Sequence, residues 1–371
     1  MYAISRLLTT VVLTLTAFPA SAKALTQAHE PTLPDGAAEA PPQVALGWLP
    51  GDGALLHHVF LSTDFDDVNG GSLHAWKACR PDASYNARTL LLGRTYFWRV
   101  DEVGSTACAP GRVWSFTVKE ALDLDDMESY SNTTDYMFDT WLDGAGDVNG
   151  VGGNGTGAIV DLSVSITHQG RQAMRYAYNN TGLNRRRTYS EASRTFDTPQ
   201  NWTDNDEKAI ELWFCGSAHN DIEPMYLALD DGSVAAVSVY GDNSEGPNDI
   251  EKEQWQQWNI DLAQFANAGV NLSNIIGVAI GFGDSNNPSV GGVGVVYFDD
   301  ISLRPTTCVV AYGPAADLSG NCVVDLPDIA LMAADWLAAD NLPADLNHDG
   351  IVDFGDYAFL TQSWLAMNLW P

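Results

Sequence analysis

One twelve-residue pattern occurs twice near the end of the chain, and it leaves that region little freedom in how it folds. Asp317-Leu318-Ser319-Gly320-Asn321-Cys322-Val323-Val324-Asp325-Leu326-Pro327-Asp328 is matched 28 positions on (317 to 345) by Asp345-Leu346-Asn347-His348-Asp349-Gly350-Ile351-Val352-Asp353-Phe354-Gly355-Asp356. The match continues into Trp336-Leu337-Ala338 and Trp364-Leu365-Ala366. Oxygen-bearing side chains fall at positions 1, 3, 5, 9 and 12 of both copies: Asp317, Ser319, Asn321, Asp325 and Asp328, then Asp345, Asn347, Asp349, Asp353 and Asp356. Val323 and Ile351, at position 7, would each add a backbone carbonyl. Calcium is a hard cation that takes six to eight oxygens, and a loop with this spacing wraps them around it. Two calcium ions, one per loop, are the expectation.

Pro305, Gly313 and Pro314 argue against a helix entering the first loop. On the exiting side, Ile329, Met332, Ala333, Trp336 and Leu337 are spaced as one apolar helical stripe, and Tyr357, Leu360, Thr361, Trp364 and Leu365 as another. Two loop-plus-exiting-helix units in tandem, with Asp at position 12, resemble the dockerin domain over residues 308 to about 368. That resemblance implies a cohesin-type partner on a scaffold or cell-surface protein. The positions following loop position 9 hold Leu326-Pro327 and Phe354-Gly355 instead of the family's frequent Ser-Thr pair.

The rest of the chain fits an exported protein. Arg6, the apolar run Leu7 to Phe18 and Ala20-Ser21-Ala22 have the layout of a secretory signal over residues 1–24. The apolar run is too short to span a bilayer. Export would place the five cysteines in an oxidising compartment. Cys308 and Cys322 flank a short loop leading into the first calcium site; a bridge there would close about 15 residues and stabilise by roughly 3 kcal/mol. Cys79 and Cys108 bracket a candidate hairpin region and form the second expected pair, leaving Cys215 as a buried free thiol. The net charge of −30 would repel phosphate backbones and anionic lipid, which argues against nucleic acid and membrane surfaces as partners. Neutral sugars and divalent cations suit such a surface.

Composition divides the mature chain into three. Over residues 30–119, stretches such as Thr95-Tyr96-Phe97-Trp98-Arg99-Val100 and Val113-Trp114-Ser115-Phe116 alternate with period two between Gly and Pro turns. With Leu46-Gly47-Trp48 they look like the fibronectin type III-like domains of bacterial secreted proteins, which usually act as spacers. Their Trp residues read better as core than as sugar platforms. Residues 122–304 hold about nine short strands, from Ser163–Thr167 through Ala209–Cys215 to Val293–Leu303, and one poor helix candidate, Leu262–Ala268. The opening Asp125-Asp126-Met127-Glu128-Ser129-Tyr130 and the closing Val296-Tyr297-Phe298-Asp299-Asp300-Ile301 resemble the galactose-binding-like jelly-roll carbohydrate-binding modules, whose first and last strands lie side by side. The tail, 306–371, has nine Asp and no Lys, Arg or Glu. The fold class read from the sequence is therefore mainly β: a fibronectin type III-like sandwich, a β jelly roll, and a small α-helical calcium-binding dockerin domain.

The jelly-roll resemblance implies that Glu128 and Asp300 share a third, structural calcium. Stacking on sugar rings needs flat aromatics beside forking polar groups. Tyr176, Tyr178, Tyr189 and Tyr226, with Tyr240, lie in strands near Arg175 and Glu191 and are the expected glycan contacts. Period two already puts Tyr176 and Tyr178 on one face and Arg175 on the other, so all cannot line one cleft. No catalytic residue is assigned, since no nucleophile elbow, zinc helix or phosphate loop occurs. The expectation is a secreted, non-catalytic protein that binds polysaccharide and docks through calcium to a cohesin-type partner in polysaccharide breakdown. Two alternatives stay open: a glycoside hydrolase or lyase in the jelly roll, and a structural surface protein that binds no glycan.

Overall fold

The structure is a computed structural model that describes residues 24–145, 152–183, 187–241, 245–309, 313–339 and 342–371. The expected export signal lies, but for Ala24, outside these residues. Among the described residues no helix is long and apolar enough to cross a membrane. The chain is mainly β and separates into two compact units. The first contains residues 44–87 and 95–117; the second contains 118–371, so the tail groups with the middle block.

In the first unit the strands Trp76–Arg80, Leu56–Ser62, Thr95–Val103 and Val113–Val118 follow one another across an antiparallel sheet, and Val44–Gly47 pairs with Ser84–Ala87. Alternation buries Tyr96, Trp98 and Val100 on one side of the long central strand. Trp98 packs between Trp48 and Trp114 at centroid distances of 6.3 and 4.6 Å. Trp48, Trp98, Trp114 and Phe116 are core, as the alternation indicates, whereas Phe65 and Trp76 are exposed.

The expected Cys79–Cys108 bridge is absent; both thiols are free and exposed. Cys79 pairs opposite His58, His58 opposite Asp101, and Cys108 opposite Val103 on the far edge. Three strand spacings of about 4.8 Å separate them, on the order of 14 Å, where a disulfide needs Cα atoms within about 7 Å.

The middle block is a two-sheet jelly roll. One sheet runs Ile159–Ser163, Ala173–Asn179, Val293–Arg304, Ala209–Cys215, Trp255–Asp261; the other runs Trp141–Leu142, Ser190–Gln200, Ile275–Phe282, Met225–Asp230, Ala235–Val239. The first strand of the block, Leu122–Asp125, pairs with the last, Leu122 opposite Leu303 and Asp125 opposite Ile301. Between the sheets lies one core that includes Trp141, Tyr176, Phe214, Trp258, Phe282 and Phe298. The helix Leu262–Asn267 forms where the sequence indicates, capped by Asp261. The expected strand Ser163–Thr167 is displaced to Ile159–Ser163, because the Ser163 hydroxyl accepts from the Ile166 N–H and turns the chain away.

The tail holds two short helices, Leu326–Ala334 and Phe354–Gln362, around a small core of Ala316, Val324, Met332, Ala344, Val352 and Leu360. The two halves interlock. Val352 bonds Leu337 and Ala338 after the first helix, and Val324 bonds Leu365 and Ala366 after the second. The apolar stripes overstate the helices: both stop before the Trp-Leu pairs, and Leu337 and Leu365 are left-handed (φ 63° and 60°) and exposed. The Cys308–Cys322 disulfide is present, with Cα atoms 5.4 Å apart.

Candidate glycan platform and calcium loops

The outer face of the six-strand sheet, the one that contains Val293–Arg304 and Leu122–Asp125, carries a continuous set of polar and aromatic side chains. Its geometry follows from register. Arg175 stands opposite Asp161 on one side and Tyr297 on the other; Tyr297 stands opposite Cys215, and Cys215 opposite Trp255. Directly opposed residues have Cβ atoms about 5 Å apart, so these five form one row across the sheet. A second row holds Asp299, Trp213 and Gln257, and a third Ser302, Glu211 and Asn259. Arg175, Tyr297 and Trp255 line a cleft of about 650 Å³ with Thr167, Ser217 and Glu253. Two further clefts continue along the last strand, one beside Val293 and Val295 and one beside Asp300 and Ser302. From Val293 to Ser302 the track is about 30 Å long at strand rise.

A β-bulge shapes one end of it. Between Trp213 and Glu211 the last strand has one residue more than its neighbour, and Asp300 sits there with φ 47°. The bulge turns Asp300 toward His168, whose Nδ1 lies 2.6 Å from the carboxylate. The His168 N–H donates to Asp299 at 2.9 Å, and the imidazole stacks on Trp213. Asp299 is fully buried; burial pushes its carboxyl up to about 6, with Asp300 adding to the rise and the N–H groups of His168 and Asp300 opposing it. Glu211 accepts from Gln257 and pairs with Arg304 at 2.8 Å, fixing the third row.

The sequence-expected residues fall in three places. Arg175 is on this face. Tyr176 and Tyr178 are in the core: their rings pack on Phe282 and their hydroxyls donate to the carbonyls of Ile280 and Asp221. Tyr240 is core as well, against Phe214 and Trp258. Tyr226 belongs to the opposite sheet and Tyr189 is buried just before that sheet's strand Ser190–Gln200; the Tyr226 ring covers Gly281 and its hydroxyl donates to Glu191 at 2.8 Å. These tyrosines are sealed, so their expected glycan contact is corrected to packing. Sequence reasoning misses Tyr297, Trp255 and Trp213. The available signal is that Tyr297 has the parity opposite to the apolar Val296 and Phe298.

Glu128 and Asp300 have different partners. Glu128 accepts from the N–H groups of Arg171 and Gln172 and from the Arg171 side chain, which hold its carboxyl below the usual range. Gly170 beside it has a left-handed φ of 63°, which favours glycine. Asp300 has His168. Glu128 is thus engaged by Arg171 and Asp300 by the His168 imidazole, and no contact joins the two carboxylates among the described residues.

In the tail, both loops are wound alike. The position 1 carboxylates accept backbone N–H groups of the turn, Asp317 from Gly320, Asn321 and Cys322, and Asp345 from Asp349 and Gly350. The position 12 carboxylates are buried and bridge positions 3 and 9, Asp328 from Ser319 and Asp325, and Asp356 from Asn347 and Asp353. Burial alone would push Asp328 and Asp356 up; those N–H groups more than reverse it and keep them ionised. Among the described residues no three His, Cys, Asp or Glu side chains converge closely enough to hold a metal by themselves. A site here would need the Asn, Ser and backbone oxygens too. One observation fits a cation: the Asp325 Oδ1 is buried and has no hydrogen-bond partner.

No protein-family model matches the chain, and no curated protein matches it. Solved structures similar to it include the family 11 carbohydrate-binding module of cellulosomal cellulase Lic26A-Cel5E of Clostridium thermocellum, 13% identical over 50% of this chain and 94% of that one, TM-score 0.32. The family 30 carbohydrate-binding module of cellulosomal cellulase Cel9D-Cel44B of Clostridium thermocellum is 13% identical over 45% and 92%, TM-score 0.33. An exo-beta-agarase is 12% identical over 49% and 24%, TM-score 0.34.

Proposed function

We propose that this is a secreted, non-catalytic protein that holds a neutral polysaccharide on the outer face of the six-strand sheet that contains Val293–Arg304. The observation that carries the reading is the row Arg175, Tyr297, Cys215, Trp255, in which half-buried aromatics stand beside a forked cation within one cleft. An aromatic face stacks on the apolar face of a sugar ring, and Arg175 and Glu253 fork to hydroxyls. Asp161, Glu253 and Asp300 around the track disfavour uronate or sulfated chains.

The tail is proposed to bind two calcium ions through its loop oxygens and to dock a cohesin-type partner. Calcium would supply the positive centre that the nine Asp lack. Glycan capture and docking would together place the chain in polysaccharide catabolism. The test is incubation of the full mature chain with a panel of insoluble polysaccharides. Retention without released sugar supports the reading; released reducing sugar would favour a hydrolase or lyase, and neither would favour a structural surface protein.

A further inference from the structure

The two tail loops solve one backbone problem in different ways. In each, positions 4 and 6 are left-handed: Gly320 and Cys322 in the first loop (φ 77° and 61°), His348 and Gly350 in the second (φ 60° and 92°). At position 6 the backbone N–H must point at the position 1 carboxylate, and it does in both, Cys322 to Asp317 at 2.7 Å and Gly350 to Asp345 at 2.9 Å. Glycine adopts this conformation freely, whereas a residue with a Cβ is strained there. Nothing lies within 4 Å of where a Gly350 Cβ would be, so open space leaves backbone freedom as the reason for glycine at that point.

Cys322 has no such freedom, and it is held from three sides. Its N–H is on Asp317, its carbonyl accepts from Asn368 at 3.2 Å, and its sulfur is bonded to Cys308. Cys308 is itself anchored, because its neighbour Thr307 exchanges two backbone hydrogen bonds with Trp370 at 2.7 and 2.8 Å. Cys322 is fully buried, while His348, the strained residue of the second loop, is exposed and has no covalent tether.

The geometry points to the Cys308–Cys322 disulfide as the positioning element of the first calcium loop: it holds Cys322 in the left-handed turn that Gly350 supplies in the second. This rests on the calcium reading above. The disulfide touches no ion; it acts through the direction of the Cys322 N–H and so through Asp317. Without the bridge, the first loop must enter the left-handed turn at the moment of binding. Its affinity then falls on the order of tenfold. The second loop keeps its affinity.

The experiment is calcium titration of the full mature chain by calorimetry with chelator competition. The Gly320 and Gly350 amide resonances report the two loops separately. Cys308→Ser should weaken the first loop on the order of tenfold and leave the second unchanged. Adding Cys322→Gly should recover most of the loss, whereas adding Cys322→Ala, which keeps a Cβ, should not. Should Cys308→Ser alone fail to reach the wild-type fold, the glycine and alanine double variants carry the comparison. Equal first-loop affinity in wild type and Cys308→Ser, or indistinguishable glycine and alanine variants, would overturn the inference alone. Wild type that takes up no calcium at either loop would overturn the calcium reading and this inference with it.

Discussion

The His168 imidazole lies flat on the Trp213 indole, centroids 3.9 Å apart and planes 15° from parallel, while its Nδ1 pairs with Asp300. The loop after Ser163 is thereby fastened to the end of the platform. Stacked rings contribute about 0.5–1.5 kcal/mol beyond burial. His168→Ala should therefore lower unfolding stability by about 1–2 kcal/mol, and His168→Phe should recover part of it. Urea unfolding checks this; a His168→Ala chain as stable as wild type would show the stack to be incidental.

Asp299 gives a pH dependence with a definite sign. Its carboxyl is raised to about 6 in the fold, above its ordinary value, so ionised Asp299 opposes folding at neutral pH. That penalty is relieved as pH falls through 6 toward 4. Carboxyl ¹³C shifts should show Asp299 titrating near 6, and a midpoint below 4.5 would contradict the burial argument.

Tyr176 tests the corrected tyrosine assignment. Tyr176→Phe loses one hydrogen bond to Ile280 and should cost about 1 kcal/mol with glycan retention unchanged. Tyr176→Ala empties a core position and should cost about 3–5 kcal/mol. Lost glycan retention in a folded Tyr176→Phe chain would return the residue to the binding face.

If the two tail loops bind calcium as proposed, they should differ in order of filling. Strain is balanced, since each loop holds one non-glycine left-handed residue, Cys322 or His348. Charge is not: the second loop offers Asp345, Asp349, Asp353 and Asp356, the first only Asp317, Asp325 and Asp328. More ligand charge tightens binding. The Gly350 amide should shift at lower calcium than Gly320, and Asp345→Ala should do more damage than Asp317→Ala. A Gly320 amide that shifts at lower calcium than Gly350 would show that the disulfide outweighs the missing carboxylate.

Alternation makes the strand Ala209–Cys215 legible, with bounds that agree with the structure, but Ser163–Thr167 alternates as well and runs past the end of its strand, Ile159–Ser163. The two shortest strands of the jelly roll, Trp141–Leu142 and Leu122–Asp125, are too brief to show a period. The platform is half legible. Parity separates Arg175 from Tyr176, but which face of a strand meets the second sheet depends on contacts across the core that no local pattern encodes. Tyr226 shows the limit: in its strand it points away from the core and is buried all the same, against Gly281. The bulge at Asp300 is not legible, because it is defined only by the strand beside it. In the tail, repetition makes the loops readable at a distance of 28 residues (317 to 345), while the helix ends are not, since Leu337 and Leu365 continue the apolar spacing past the last turn.

The proposed function depends on Tyr297 and Trp255 as a sugar platform. Retention of the full chain on a neutral polysaccharide, measured at low and moderate salt for wild type, Tyr297→Ala and Trp255→Ala, tests it most directly. Wild type should be retained at both salt concentrations, because stacking and hydroxyl hydrogen bonds are not screened as ion pairs are. Either variant should be retained at least tenfold more weakly, with an unchanged circular dichroism spectrum. Retention of both variants equal to wild type, or of wild type only at low salt, would contradict the claim.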